Sequence, residues 1–95
     1  MSFLVILRPA REHMPFEPTP AESRIVEEHY EYLERLRDEG KLVVAGPSIV
    51  PGDTIGIGVL SIGDELEARA IVAADPVVSS GVMIAEIRPM RIVVR

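Results

Sequence analysis

One histidine stands out as a candidate for proton-transfer chemistry because it lies on the apolar side of a predicted helix. His29 falls among apolar residues that recur with helical spacing, which are Ile25, Val26, Leu33 and Leu36. It is the one ionisable residue on that side, and histidine is the side chain whose charge changes most readily near neutral pH. Since histidines on apolar helical faces are more often packed core residues than catalysts, His29 alone leaves both interpretations open.

Asp75 is the candidate partner of His29. It ends a second predicted helix, because Pro76 disfavours helical backbone at the residue before it. A carboxylate at a helix C-terminus faces the negative end of the dipole, at a cost of a few tenths to about 1 kcal/mol. A protonated histidine ring nearby would compensate this cost, and the same pairing would hold the neutral ring in one tautomer, as a general base requires. Alternatively, Asp75 only caps the next turn, from Pro76 to Ser79. The residues leave both interpretations open.

A third candidate is the segment Gly46-Pro47-Ser48, which follows a predicted apolar strand from Leu42 to Gly46. Its backbone amides and the Ser48 hydroxyl could orient a small anionic or phenolic ligand beside His29. The other interpretation is that it does no more than end the strand. No metal site is predicted, since His13 and His29 lack metal-ligand spacing and the chain has no cysteine.

The remaining elements follow from turn and capping signals. Thr19-Pro20-Ala21-Glu22 is a capping box that opens the first helix, which runs to about Glu39. The second helix begins after Asp64 and ends near Ala74. The predicted strands are Phe3 to Arg8, Leu42 to Gly46, Thr54 to Ile62 and Val82 to Val94. The first is apolar on both faces, which is typical of a central strand, and Pro89 indicates an edge position for the last.

The connection from Pro9 to Pro20 is long and holds four prolines. Ordered connections of this length are uncommon and often functional. A lid carrying Arg11, Met14 and Phe16 is one interpretation. A solvated loop pinned by Met14 and Phe16 is the other.

The order β-α-β-β-α-β predicts an α+β ferredoxin-like plait: a four-stranded antiparallel sheet with both helices on one face and strands one and three in the centre. Gly56 and Gly58 alternate along the third strand and leave one of its faces bare, so a partner subunit or a ligand must approach there. We assign these glycines to the helix-free face and expect that face to be buried against a second copy.

Composition limits the functional classes. The 95 residues predict a single domain, 1–95. With 47% hydrophobic residues and a mean hydropathy of +0.23, a monomer has difficulty covering its apolar surface, which favours a homodimer or higher homo-oligomer. A net charge of -5 without a basic stripe argues against nucleic acid as a partner. No apolar run approaches the roughly 20 residues that span a bilayer, and no leader is evident, so we expect no membrane partner and a cytoplasmic protein.

The chain resembles the YCII-related (YciI-like) family over nearly its whole length. The resemblance lies in His29 with Tyr32-Leu33, the segment from Glu39 to Pro47, Ala74-Asp75-Pro76 with Gly81-Val82, and Arg88-Pro89-Met90. It implies a dimeric ferredoxin-like fold with one pocket per subunit, lined by a histidine and an aspartate proposed as an acid-base pair, here His29 and Asp75. The family is similar to a cofactor-free dechlorinating enzyme of chlorinated hydroxyhydroquinone breakdown. The wider superfamily includes muconolactone isomerase and cofactor-independent monooxygenases.

The leading hypothesis is therefore a small enzyme of the lyase or isomerase kind that needs no metal or organic cofactor. His29 would move a proton on a small phenolic or enolic substrate, including dehalogenation, and Asp75 would orient and charge-stabilise it. Arg8 or Ser48 would hold the substrate oxygen. Two alternatives stay open, which are a non-catalytic dimeric module that binds a small molecule or acts through its interface, and a cofactor-independent monooxygenase. The reaction itself rests on analogy.

Overall fold

A computed structural model describes residues 1–95, which form four strands and three helices. In chain order these are β1 (Ser2–Pro9), α1 (Pro20–Asp38), β2 (Leu42–Ser48), β3 (Ile55–Ser61), α2 (Glu65–Ala74), α3 (Pro76–Ser79) and β4 (Met83–Met90).

The strands form one antiparallel sheet in the order β2-β3-β1-β4. The α+β ferredoxin-like fold is therefore confirmed, with β1 and β3 in the centre. Pro89 lies on β4, which pairs only with β1, so its predicted edge position is also confirmed. Proline is tolerated there because an edge strand has one side free of ladder hydrogen bonds.

The core lies between the sheet and the helices. Phe3, Val5 and Leu7 alternate along β1 and pack against Leu36 of α1 and Val72 of α2. The residues between them, such as Leu4 and Ile6, point to the opposite face of the sheet, which carries no helix. We call this helix-free side the outer face; its apolar residues are Leu4, Ile6, Val44, Ile57, Val59 and Ile84.

The glycine-rich positions of β3 do not lie on the outer face, and that prediction was wrong. Gly56 pairs with Leu7 and Gly58 with Val5, both on the helix-facing side of β1. Leu60, two residues further along, is buried in the core on the same side. Because side chains alternate strictly along a strand, both glycines face the helices. The bare surface therefore belongs to the interior of the subunit.

The capping signals of α1 are confirmed at both ends. The Thr19 hydroxyl accepts from the Glu22 backbone N–H, and the Glu22 carboxylate accepts from the Thr19 N–H. At the other end Gly40 has a φ of 76°, and the N–H groups of Gly40 and Lys41 donate to Arg37 and Leu36. This left-handed turn lets the chain enter β2 directly.

Three boundaries differ from the prediction. β2 continues through Gly46 and Pro47 to Ser48, because it is an edge strand and the missing Pro47 N–H does not interrupt the sheet. β4 ends at Met90 rather than Val94. The segment Pro76–Ser79 is a short helix, α3, rather than a turn. None of the helices is both long enough and apolar enough to cross a membrane.

Candidate functional site

His29 lies on the buried side of α1, in the layer between that helix and the rest of the fold. It is 8% exposed, and with Asp75 it is one of only two polar residues in the buried set. A polar ring in this position needs a hydrogen-bond partner. The burial of His29 that the helical spacing predicts is therefore confirmed.

The His29 ring contacts the Asp75 carboxylate. Nδ1 lies 2.7 Å from Oδ2 and 2.8 Å from Oδ1. With the carboxylate ionised, Nδ1 must carry a proton and donate it, which leaves the lone pair of the neutral ring on Nε2. Nε2 has no hydrogen-bond partner in the protein, yet no buried side-chain nitrogen or oxygen is unpartnered. Nε2 is therefore accessible rather than enclosed.

Asp75 occupies the junction between α2 and α3. Its Oδ1 also accepts from the Val77 backbone N–H at 3.0 Å and so caps α3. The two interpretations of this residue, partner of histidine and helix cap, thus hold together. Because one carboxylate makes both contacts, the hydrogen bond from the Val77 N–H holds the carboxylate in place, and the carboxylate in turn orients the His29 ring.

A cavity of about 590 Å³ lies between the helices and the sheet, and both His29 and Asp75 line it. This volume is within the range of about 300–1,000 Å³ that is usual for small-molecule sites. Of the 28 lining residues 18 are hydrophobic, so a bound molecule would lose most of its water. On the sheet side Gly56 and Gly58 contribute backbone only.

Tyr32 is a further titratable group that lines the cavity. Its hydroxyl donates to the Ile71 carbonyl at 2.6 Å, which ties α1 to α2. Burial raises the pKa of Tyr32 above its ordinary value of 10, and the negative charge of Asp75 acts in the same direction. Tyr32 therefore stays neutral and serves as a structural donor.

The proline-rich connection forms one wall of the cavity through Met14, Pro15, Phe16 and Pro18. Met14 is 3% exposed and anchors the segment, while Phe16 is half exposed. Arg11 points away from the cavity and binds the Glu22 carboxylate, at 2.6 Å from Oε1, and the Glu17 carbonyl. Both earlier interpretations have a part in this arrangement, since the segment is pinned and also encloses the site.

The other predicted site residues divide between the two faces of the sheet. Gly46 and Pro47 line the cavity, whereas Arg8 and Ser48 do not. Arg8 is on the outer face, exposed and paired with Glu86 at 2.8 Å. Ser48 pairs with Ile55, which also alternates to the outer face. The sheet therefore separates the Arg8 side chain from His29, whereas Ser48 is outside the cavity lining but pairs with Ile55, which is part of it.

Several lining residues were not predicted. Tyr30 and Tyr32 were given no part in the predicted site, and Gly56 and Gly58 were assigned to the wrong face. No local signal identifies the face of the glycines, because Leu60 on their side of the strand and Ile57 and Val59 on the other are similarly apolar. No group of three or more His, Cys, Asp or Glu residues lies together in a way that could hold a metal ion.

Comparisons with known proteins agree on the fold. A profile of the YCII-related domain matches residues 1–91. A solved structure of 5-chloro-2-hydroxyhydroquinone dehydrochlorinase from Burkholderia phenoliruptrix, in complex with 2,5-dihydroxybenzoquinone, superposes with a TM-score of 0.75. The match covers 96% of this chain and 94% of the other at 18% sequence identity, so it supports the fold alone. A comparison with curated protein sequences found no match.

Proposed function

The chain belongs to the YCII-related domain family, and from this premise we propose that it is an enzyme of the lyase or isomerase kind. The proposed reaction is proton transfer on a small phenolic or enolic molecule bound in the cavity, with no metal or organic cofactor. The observation that carries the proposal is the 2.7 Å contact of His29 Nδ1 with a buried carboxylate, beside an accessible Nε2 and an apolar cavity.

In the proposed step, Nε2 of His29 takes the proton. The O–H or C–H bond of the substrate breaks, an N–H bond forms on the ring, and the electron pair stays on the substrate as a phenolate or enolate. Asp75 stays ionised and stabilises the imidazolium, while its hydrogen bond keeps Nδ1 protonated throughout. Base catalysis by a positioned side chain typically contributes about 10²–10⁴-fold to the rate.

A dehalogenating version of this reaction is the more specific proposal. The superposed Burkholderia protein is named a dehydrochlorinase, and its crystals contain a dihydroxybenzoquinone. Loss of hydrogen chloride from a chlorinated hydroquinone needs a proton to move first from a hydroxyl group to the carbon that bears chlorine, which gives the keto tautomer. A base then takes the proton of a second hydroxyl group, the electron pair of that O–H bond forms a C=O bond with a shift of the ring double bond, and chloride leaves with its bonding pair to give a quinone. His29 would supply that base. At 18% identity the choice of substrate is the part that needs direct measurement.

Two assays test the proposal. In the first, chloride release is followed from 5-chloro-2-hydroxyhydroquinone and related chlorinated hydroquinones. In the second, proton NMR in D₂O follows deuterium exchange into 2-tetralone, an enolisable ketone. We expect the wild-type protein to accelerate at least one reaction and His29→Gln to lower that rate by at least about 10²-fold. His13→Gln is the matched control and should behave as wild type.

Equal rates for the wild-type protein and His29→Gln in both assays would contradict the proposal. That result, combined with ligand binding in the cavity, would favour a non-catalytic binding module.

We also propose that the protein is a cytoplasmic homodimer that pairs through the outer face, with a small molecule and a second copy as its partners. The outer face presents apolar residues on all four strands beside the ion pair of Arg8 and Glu86, and Val44 and Ile84 are 60% and 65% exposed. Large exposed apolar patches commonly mark interaction sites. The net charge of -5 disfavours nucleic acid as a further partner.

A further inference from the structure

Asp75 is the only acidic residue that lines the cavity, and no lysine or arginine lines it. Its 28 lining residues include neither lysine nor arginine, although the chain has ten of these residues. Arg8 and Arg11 are paired with Glu86 and Glu22. Arg35 lies over the Tyr32 ring, 5.6 Å from its centroid, but does not itself line the cavity. An anionic ligand would therefore lie near the Asp75 carboxylate with no lysine or arginine in the lining to offset its charge.

The shape of the sheet side gives a second constraint. Gly56 and Gly58 are alternate residues of one strand on the same face, so two successive positions present bare backbone to the cavity. We call these two positions the glycine floor. Glycines in strand interiors commonly mark places where a ligand approaches the backbone closely. Neither has a positive φ, so the absence of side chains here is not needed to relieve backbone strain.

The space above Gly58 would admit a Cβ atom. A Cβ atom built there meets only ordinary contacts, the nearest being the Ala45 Cβ at 3.7 Å. At Gly56 a Cβ would lie 3.3 Å from the Leu7 Cβ, which is tighter. Packing therefore accounts for a glycine at 56, whereas the structure offers no packing reason for one at 58. A role in admitting a ligand explains it.

From these observations we propose that the cavity selects a neutral, planar, largely apolar ring that lies on the glycine floor, and that it rejects carboxylates and phosphates of the same size. The inference rests on the proposed function for the identity of the site. It also agrees with the chemistry of the step, because a neutral hydroxyl has a proton to give to Nε2 and the charge appears only after transfer. Gly58 is then a specificity-determining residue.

The test compares three probes of similar size by ¹H–¹⁵N NMR titration at neutral pH, following the Gly56 and Gly58 amide signals. The probes are 2-naphthol, which is planar and neutral, 2-naphthoate, which is planar and anionic, and decahydro-2-naphthol, which is neutral but not planar. We expect 2-naphthol to shift both glycine signals and to bind at least tenfold more tightly than either of the others. Failure of 2-naphthol to bind, or equal or tighter binding of 2-naphthoate, would overturn the proposal.

Variants of the protein distinguish the effect of the shape of the cavity on ligand binding from the effect of its charge. Gly58→Val fills the floor and should weaken 2-naphthol binding at least tenfold, while Val59→Ile adds a methylene group on the outer face of the same strand and should leave binding unchanged. If Gly58→Val does not fold, Gly58→Ala takes its place, since its Cβ meets no close contact. Asp75→Asn removes the anion and should improve 2-naphthoate binding severalfold. Unchanged 2-naphthol binding in the folded position-58 variant, or no gain for 2-naphthoate in Asp75→Asn, would contradict the proposal.

These titrations need no turnover, so they are independent of the exchange and chloride assays. Absence of catalysis with the expected binding order would remove the proposed function and leave the selectivity standing. Catalysis combined with the opposite binding order would support the proposed function and contradict the proposed selectivity.

Discussion

A single carboxylate organises the site at the level of residues. Oδ1 of Asp75 accepts from both the His29 ring and the Val77 backbone, and Oδ2 contacts the ring alone. An aspartate is suited to this because an ionised carboxylate accepts several hydrogen bonds at once. Its buried charge and its capping bond are therefore two properties that substitution can separate.

Comparison of Asp75→Asn with Asp75→Ala distinguishes the effect of the buried charge from that of the capping hydrogen bond. The asparagine oxygen can still cap α3 and accept from Nδ1, so we expect a loss of stability below about 1 kcal/mol but a large loss of proton-transfer activity. Alanine removes the cap and leaves Nδ1 unpartnered in the interior, with an expected loss of about 2–4 kcal/mol. Urea unfolding measures the first quantity and the exchange assay the second.

A second readout is the ¹⁵N chemical shifts of the His29 ring, which distinguish a protonated Nδ1 from a protonated Nε2. We expect the Nδ1–H tautomer in the wild-type protein and a mixture in Asp75→Asn. An Nε2–H ring in the wild-type protein would contradict the assignment of Nε2 as the base.

The sequence was sufficient to offer the contact between His29 and Asp75 as one of two interpretations, because helical periodicity placed the ring inside and a carboxylate at the helix end is costly without a partner. It was not sufficient to predict the placement of Arg8 and Ser48. A strand residue turns to one face or the other according to its register, and the register depends on pairing with β3 and β4, which no local signal reveals.

At the level of elements, the segment between β1 and α1 is held by one ion pair that is also part of the α1 cap. Glu22 accepts from Arg11 and from the Thr19 backbone, and these hydrogen bonds lower the pKa of its carboxyl from 4.5 to about 2, the Arg11 bond having the larger effect. The pair therefore couples the wall of the cavity to the start of the helix that carries His29.

The pH dependence of this element follows from the direction of the shift. A carboxyl whose pKa is lower in the folded state stabilises the fold above its unfolded value and loses that contribution as the pH falls from about 4.5 towards 2. We expect ¹³C NMR of the Glu22 carboxyl to give a midpoint near 2. Arg11→Ala should raise the midpoint towards 4.5, though not fully, since Thr19 remains.

The control for this measurement is Arg24→Ala, which removes an exposed arginine of the same helix without touching Glu22. A wild-type midpoint close to 4.5, or an equal effect of both alanine variants, would show that Arg11 does not hold the segment in solution.

Element boundaries were predictable where capping residues mark them and less so elsewhere. The start of α1 and its end at Gly40 follow from Thr19-Pro20 and from the glycine in left-handed backbone. The continuation of β2 through Pro47 was missed because proline ends a central strand but not an edge strand, and edge position is a property of the whole sheet. The same holds for the face to which the glycines belong.

At the level of the whole molecule, the two faces of the sheet have different surroundings. One faces the helices and encloses the cavity, and the outer face is apolar and uncovered in the isolated chain. The fold class was predictable from element order alone. Assembly was predictable only as a tendency, because composition indicates too much apolar surface without saying where it lies.

The proposed dimer is tested by the mass of the protein in solution. Light scattering coupled to gel filtration should give twice the chain mass of 10.4 kDa. The double variant Val44→Glu/Ile84→Glu places charges at both sides of the outer face and should give the chain mass, with little loss of monomer stability since both residues are exposed.

Leu66→Glu is the matched control, because Leu66 is an exposed apolar residue of α2, on the helix side of the sheet. It should remain dimeric. A wild-type mass of 10.4 kDa at the concentrations used, or dissociation by Leu66→Glu alone, would contradict pairing through the outer face.

Each free border of the sheet contains a proline, Pro47 on β2 and Pro89 on β4. A foreign strand that tried to extend the sheet would meet a missing donor on either side, and such borders resist the backbone pairing from which fibrils grow. Copies of this chain can therefore associate face to face without the risk of polymerising side by side. We expect concentrated solutions to stay free of thioflavin-positive aggregates.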